Sequence, residues 1–227
     1  MKARIIIILI LFAAINISYS QETAYRMSIG IGSYSMKDFK NQIEDSKQYM
    51  PVEAKTLNNF PPFLNYHAAL RFYSKRRQIY FEPEFAFYST GCRLDYRDYS
   101  GELTIDFETI AFAFSLKSGT YFGPVKKFNF GIYEQISSYF TTYKIKEKVR
   151  LYDESASSSA QVRYTSMGVE AGFLGRYVLN GRFDILSSIG YYQQIYTFKN
   201  FHRNPDWSGL RFEIGIIYKL LTKKDKE

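Results

Sequence analysis

The chain has few of the residues from which catalytic and metal sites are usually built. Its 227 residues include one cysteine, Cys92, and two histidines, His67 and His202. A single cysteine excludes an internal disulfide and a thiolate metal cluster, and two distant histidines do not make a zinc ligand set. No glycine-rich phosphate loop precedes a helix. The sequence therefore predicts no metal, no cofactor and no nucleotide chemistry.

Long apolar runs are confined to the N-terminus. Lys2 and Arg4 precede the apolar run Ile5–Ile17, and Ser18-Tyr19-Ser20 follows with small residues at its first and third positions. This order is typical of a secretory signal peptide, and the run is short for a membrane anchor helix, the alternative. We expect residues 1–20 to be a cleaved signal peptide. Export also argues against a nucleic-acid partner, although the formal net charge is +8.

Aromatic residues are abundant, with 21 Tyr and 20 Phe but a single Trp. Such side chains suit β-strands and the aromatic girdles of membrane barrels. Much of the mature chain alternates apolar and polar residues with the period of two that is typical of strands. The clearest segments are 25–31, 66–73, 79–88, 167–177, 183–192 and 210–220.

Two middle segments follow the pattern less regularly. The apolar parity shifts between Phe107 and Ile110, which predicts a bulge or a change of environment. In residues 128–140, Glu134 falls on the apolar stripe, and the pattern offers no reason for it. With both segments counted, the sequence predicts about eight strands, with ten as the alternative.

The connections between these segments alternate in length. Short turns are expected at Ser74–Gln78, Gly123–Lys127 and Asn180–Arg182, and longer loops at Lys37–Pro62, Tyr99–Gly101, Ser155–Ser159 and Asn200–Asp206. An even-stranded outer-membrane barrel has this alternation, with its short turns in the periplasm. In the first long loop, Met36, Phe39, Ile43 and Tyr49 recur at helical spacing before Pro51. We expect a short amphipathic helix there, lying on the barrel as a lid or brace, with ligand recognition as the alternative role.

The polar face of the alternation indicates which side is inside. It mixes glycine, alanine and serine with charges of both signs, which suits a narrow filled lumen better than a water-facing surface. Because an unpaired buried charge is costly, we expect opposite charges to pair there. The predicted lumen network comprises Arg26, His67, Arg71, Glu82, Glu84, Glu170, Arg176, Asp184, Arg211 and Glu213.

The chain resembles the porin-like family of small outer-membrane β-barrel proteins. The resemblance rests on the signal peptide, Tyr25–Tyr34, Ser35–Lys40, Asn59–Pro62 and the closing segment Leu210–Leu220. It implies a closed antiparallel up-and-down transmembrane β-barrel over residues 21–221, inserted by the assembly machinery of a Gram-negative outer membrane. The other expected partners of the protein are outer-membrane lipid, lipopolysaccharide, and an unidentified envelope or extracellular molecule. One departure is the charged tail at residues 222–227, where many outer-membrane barrels end on an aromatic residue.

The resemblance does not imply one activity, so four functions stay open. We expect a structural or surface-interaction barrel without catalytic residues, and a small porin is the second candidate. A lipid-modifying enzyme would need a base such as His202 beside Asp206 and Ser208, and sequence adjacency alone does not place these side chains in contact. A soluble periplasmic lipid-binding barrel would require the apolar face to point inward.

Overall fold

The computed structural model describes residues 22–48, 54–74, 78–99, 101–123, 127–151, 154–198 and 204–220. Within these ranges the chain forms nine strands and one helix. In chain order they are β1 (Glu22–Gly32), α1 (Lys37–Gln48), β2 (Lys55–Leu57), β3 (Phe63–Ser74), β4 (Ile79–Arg97), β5 (Gly101–Tyr121), β6 (Phe128–Leu151), β7 (Glu154–Val178), β8 (Phe183–Thr197) and β9 (Gly209–Leu220). No helix in these ranges is both long and apolar enough to span a membrane.

Eight of the strands form a closed antiparallel ring. β1 pairs with both β3 and β9, and the pairing of β4 with β5 completes the circle. The short β2 lies outside the ring and pairs with Arg93–Asp95 of β4. Thr23 pairs with Leu220, so the first and last strands meet at one end of the barrel. We call this the inner end, which also carries the short connections, and the opposite end the outer end.

The two faces of the ring differ as the alternation predicts. Outward side chains are apolar and solvent-exposed, as in Met27 (72% exposed), Phe85 (68%) and Phe173 (68%). Inward positions of the same strands hold buried charged and small residues, among them Arg26 and Glu84. The prediction of a membrane-type barrel of about eight strands is confirmed. A soluble barrel, whose apolar side chains would point inward, does not match these strands.

Strands β4 to β7 continue far beyond the outer end of the other strands. β6 spans 24 residues and β7 spans 25, compared with 12 for β3 and β9. The prediction of a loop at Ser155–Ser159 is wrong, because these serines pair in register with β6, from Arg150↔Ser155 to Lys146↔Ser159. Backbone pairing with a neighbouring strand compensates for the weak strand preference of serine. We call the part of β4–β7 beyond the outer end the extension.

The irregular segment around Phe107 and Ile110 contains no bulge. The pairing of β5 with both neighbours is continuous through these residues. Phe107 points inward, where the barrel interior becomes apolar near its outer end. The parity shift thus marks the change of environment that the sequence left as the second option. The register shift that the structure does contain lies between Met167 and Gly168, where β7 pairs with β8.

The helix predicted in the first loop is present as α1. Its apolar residues Phe39 and Ile43 are fully buried. They pack with inward-facing rings of the strands, so α1 covers the barrel mouth and does not lie on the outer surface. The apolar faces of the helix and of the strand ends meet there because each needs a surface on which to bury its side chains.

Candidate functional site

Side chains fill the lumen in three layers, and the layer at the inner end is aromatic. Tyr73, Tyr80, Tyr121 and Tyr133 are buried together at the inner end with short aliphatic residues. Two guanidinium groups lie against these rings: that of Arg71 is 4.2 Å from the centroid of Tyr80, and that of Arg176 is 5.0 Å from that of Tyr73. Cation–π contacts of this kind stabilise a cation where little water is present.

The middle layer is a network of charged side chains centred on Arg26. Arg26 donates hydrogen bonds to Glu84 and Glu213, and its Nε lies 3.3 Å from Glu82 Oε2. Arg71 donates to Glu82 as well, and to the hydroxyl of Tyr121 at 2.7 Å. All of these charged groups are buried. They fill the cross-section of the barrel where an open pore would hold water.

Two further ion pairs contain the remaining predicted lumen residues apart from His67. Arg176 Nε donates to Asp184 Oδ2 at 2.7 Å, close to the inner end. Arg211 Nη1 lies 3.5 Å from Glu170 Oε2, and the other oxygen of Glu170 accepts a 2.6 Å hydrogen bond from Tyr133. The structure therefore places each predicted carboxylate within ion-pair distance of a basic side chain.

Sequence reasoning missed two cations of this network. Lys117 Nζ lies 3.1 Å from Glu213 Oε2 and 3.7 Å from Glu84 Oε2. Lys219 Nζ lies 2.6 Å from Asp184 Oδ1. The signal for Lys117 was available, because it shares the parity of Ala113 and Ser115, but the irregular stretch before it obscured the inward stripe.

His67 lies beside the central carboxylates. Its Nδ1 is 3.0 Å from Glu84 Oε1, and its Nε2 is 2.8 Å from Asn65 Oδ1. His67, Glu84 and Glu213 are close enough to bind a metal ion, but Arg26 and Lys117 already contact both carboxylates. The same region encloses a void of about 10 Å³, room for about one water molecule.

The outer layer is an aromatic plug around Arg211. The guanidinium of Arg211 lies 4.2 Å from the ring centroid of Tyr192 and 4.8 Å from that of Tyr88. Arg211 also donates a hydrogen bond to the hydroxyl of Tyr139. Trp207 is fully buried against these rings, and its indole nitrogen donates to Thr141 Oγ1 at 2.9 Å.

The loop that follows β1 closes the top of this plug. The ring of Tyr34 meets that of Trp207 edge-on at 5.0 Å, and burial raises the pKa of the Tyr34 phenol. Above Tyr34, Phe39 of α1 stacks on Tyr143 at 4.1 Å. Cys92 is buried in the same cluster, so its thiol is one more packing group there.

A basic surface lies on the outward-facing side of the extension, which points away from the barrel axis. Lys144, Lys146, Lys148 and Arg150 occupy alternate positions of β6 and therefore share that face, at intervals of about 7 Å. Their partners on β7 are Gln161, Ser159, Ser157 and Ser155. We call these eight residues the basic ladder. The alternation is visible in the sequence, and it was overlooked because the serine stretch was expected to be a loop.

Three carboxylates beside the basic ladder are already paired, one with a lysine of the ladder and two with arginines of β4. On β5, Glu108 pairs with Lys146 at 2.7 Å, Asp106 with Arg93 at 2.5 Å, and Glu102 with Arg97 at 2.7 Å. Within the described residues, no ion pair of 4 Å or less involves Lys144, Lys148 or Arg150. These three side chains give the ladder its excess of positive charge.

A closed ring with charges inside and apolar side chains outside decides the architecture. The fold is that of a small outer-membrane β-barrel. Of the Ser–His–Asp grouping that the enzyme alternative requires, His202 lies outside the described residues. Of its other members, Asp206 Oδ1 accepts a hydrogen bond from the backbone of Ser208 at 3.0 Å, and the Ser208 hydroxyl contacts Gln193 and Gln194.

No protein-family model and no curated protein matches the chain. Among solved structures it is similar to Ail, the attachment invasion locus protein of Yersinia pestis (12% identity, 88% of this chain and 98% of that chain, TM-score 0.40). It is also similar to Neisserial surface protein A (11%, 87% and 97%, 0.42) and to the N-terminal β-barrel domain of Pseudomonas aeruginosa OprF (11%, 87% and 97%, 0.40). The strand pairing and the two faces of this chain's own ring establish the barrel.

Proposed function

We propose that the protein is a non-conducting barrel of the Gram-negative outer membrane whose extension binds phosphate-bearing polyanions at the cell surface, namely lipopolysaccharide. Residues 1–20 direct its export, the outer-membrane assembly machinery inserts the barrel, and the charged tail at 222–227 remains in the periplasm with the inner end. No catalytic residue and no cofactor is assigned.

The basic ladder carries this proposal. Its cations begin at Lys144, one outward position beyond Thr142 and two beyond Phe140, the last outward apolar residue of β6, at the level where a barrel meets lipid headgroups and sugars. Lysine and arginine at regular spacing beside serine hydroxyls offer both charge and hydrogen bonds to phosphate oxygens. Binding by such exposed groups is electrostatic and weakens as salt rises.

The filled lumen supports the non-conducting part of the proposal. Charged pairs, an aromatic plug and α1 occupy successive levels, and the central void holds about one water molecule. The small-porin alternative requires a continuous aqueous path. Stable single-channel conductance of the purified protein in planar bilayers would support that alternative and refute ours.

Binding is tested with purified lipopolysaccharide and the detergent-solubilised full chain. We expect Lys148→Ala with Arg150→Ala to weaken binding by roughly tenfold, since each exposed charge contributes about 0.7 kcal/mol. Lys127→Ala with Arg182→Ala removes the same charge at the inner end and serves as the matched control. Equal weakening in both variants would show that net charge, and not the ladder, governs binding.

A second experiment distinguishes two sources of the anionic groups that the basic ladder would bind. Dephosphorylated lipopolysaccharide tests whether the phosphates of the membrane itself are recognised, and a soluble sulfated polysaccharide tests an external polyanion. We expect binding to fall on dephosphorylation. Unchanged affinity for dephosphorylated lipopolysaccharide, together with tight binding of the sulfated polymer, would point to an external ligand instead.

A further inference from the structure

Glu134 stands on the membrane-facing surface, and the lumen network does not include it. The outward positions of β6 run Phe128, Phe130, Ile132, Glu134, Ile136, Ser138 and Phe140. Glu134 is the central one of these seven, and it is solvent-exposed. Within the described strands it is the only Asp, Glu, Lys, Arg or His side chain on the outward apolar belt. A carboxyl group facing hydrocarbon is costly because lipid chains offer no hydrogen bonds.

The surroundings of Glu134 are small and polar. Its cross-strand neighbours are Ser118 on β5 and Ala171 on β7. The Ser118 hydroxyl donates to Glu134 Oε1 at 3.1 Å, while Oε2 takes no hydrogen bond within the described residues. Two depressions of the outer surface, of about 670 and 400 Å³, share these three residues. The belt is therefore indented around a partly satisfied polar group.

We propose that this surface is a contact face between two copies of the chain in the membrane, an association that goes beyond the proposed function. Two barrels inserted in the same direction associate about an axis along the membrane normal, which brings β5 of one copy opposite β7 of the other. Phe173 of one copy, which projects at 68% exposure, then faces the depression beside Ser118 and Thr120 of the other.

The polar groups of the face are self-complementary in the same arrangement. Each copy offers a hydroxyl donor on Thr120 and a carboxyl acceptor, the Oε2 of Glu134, because the Ser118 hydroxyl already donates to Glu134 Oε1. Small residues allow close approach of membrane-embedded surfaces, and hydrogen bonds between them stabilise the contact. Lipid chains offer no hydrogen bond to Glu134 Oε2, whereas a second copy offers the Thr120 hydroxyl together with the ring of Phe173.

The test is disulfide cross-linking in outer membranes, in a Cys92→Ser background. Ile136→Cys, the next outward residue of β6 after Glu134, places a thiol at the axis, where β6 of one copy meets β6 of the other, and we expect it to give a cross-linked product of twice the monomer mass. Ile29→Cys, on the opposite side of the ring and equally outward, is the matched control and is expected to give none. Cross-linking of both variants to the same extent would indicate random collision and overturn the proposal.

The role of the carboxyl group is tested in the same system. Adding Glu134→Leu is expected to lower the cross-linked fraction of Ile136→Cys by about fivefold, whereas Glu134→Gln keeps its hydrogen bonds and the product. Leucine suits the lipid face, so a heat-dependent gel shift is expected to show both variants folded. A purely monomeric Ile136→Cys protein, a product with the mass of a different partner, or an unchanged dimer in Glu134→Leu would each refute the proposal. None of these outcomes bears on the basic ladder.

Discussion

Phe39 of α1 stacks on Tyr143 of β6, with ring centroids 4.1 Å apart. This contact joins a helix in the first connection to a strand more than 100 residues later in the chain. It holds the loop across the barrel mouth and continues the aromatic plug below it. The outer end of the barrel is therefore closed by side chains from distant parts of the sequence.

Phe39→Ala is expected to release α1 without unfolding the barrel. Truncation of a buried phenylalanine costs about 3–5 kcal/mol, here lost mainly from the docking of the helix. Limited trypsin digestion should then cut at Lys37, Lys40 and Lys47, while the heat-dependent gel shift of the barrel persists. Asn41→Ala, on the exposed side of α1, is the control. Equal trypsin resistance in all three proteins would contradict the lid role of α1.

Glu82→Gln with Glu84→Gln is expected to destabilise the barrel strongly. Both carboxylates are buried and contact Arg26, so their neutralisation leaves buried cations without counter-charges, at a cost of about 3–5 kcal/mol. For a chain of this size that lowers the unfolding temperature in detergent by roughly 10 °C. The control, Glu44→Gln with Glu108→Gln, removes two carboxylates from exposed ion pairs. Unchanged stability of the buried variant would refute a stabilising role for the network.

The single tryptophan offers a spectroscopic test of the plug. Trp207 is fully buried among aromatic rings, so its emission should be blue-shifted and resist acrylamide in the folded protein. Trp207→Phe removes the hydrogen bond to Thr141 and is expected to cost about 1 kcal/mol. Ready quenching of Trp207 in the folded barrel would mean that the plug is open to water.

The extension should resist proteolysis although it is rich in lysine and arginine. Lys144 to Arg150 lie in β6, between β5 and β7, where the backbone is hydrogen-bonded on both sides. Trypsin needs an extended and unpaired backbone, so the folded protein should stay intact there while the heat-unfolded protein is cut. Rapid cleavage after Lys146 or Lys148 in the folded barrel would show that this region is a loop.

The barrel could be predicted because apolar and polar residues alternate along its membrane-spanning strands. The closing strand shows this best, since Phe212, Ile214 and Ile216 alternate with Arg211, Glu213 and Gly215. Because a strand places successive side chains on opposite faces, the sequence alone assigns lipid and lumen positions. α1 was predictable for the same reason, from the helical spacing of Phe39 and Ile43.

The extension was not predictable from local patterns. Serine has a low preference for strands, and Ser155–Ser159 form one only because β6 lies alongside with matching hydrogen-bonding groups. Phe107 likewise breaks the membrane alternation because its inward face meets α1 and the plug instead of the charged lumen. In both cases the deciding neighbour is distant in sequence.

The sequence by itself determined the strand period, the two faces and most of the charges that line the lumen. Only the tertiary structure decided which charge meets which, how Lys117 and Lys219 enter the network, and that α1 covers the mouth. The period of two is local backbone geometry, which any short stretch of sequence records. Partner choice depends on the register and closure of the eight-stranded ring, which bring side chains from different strands to the same level.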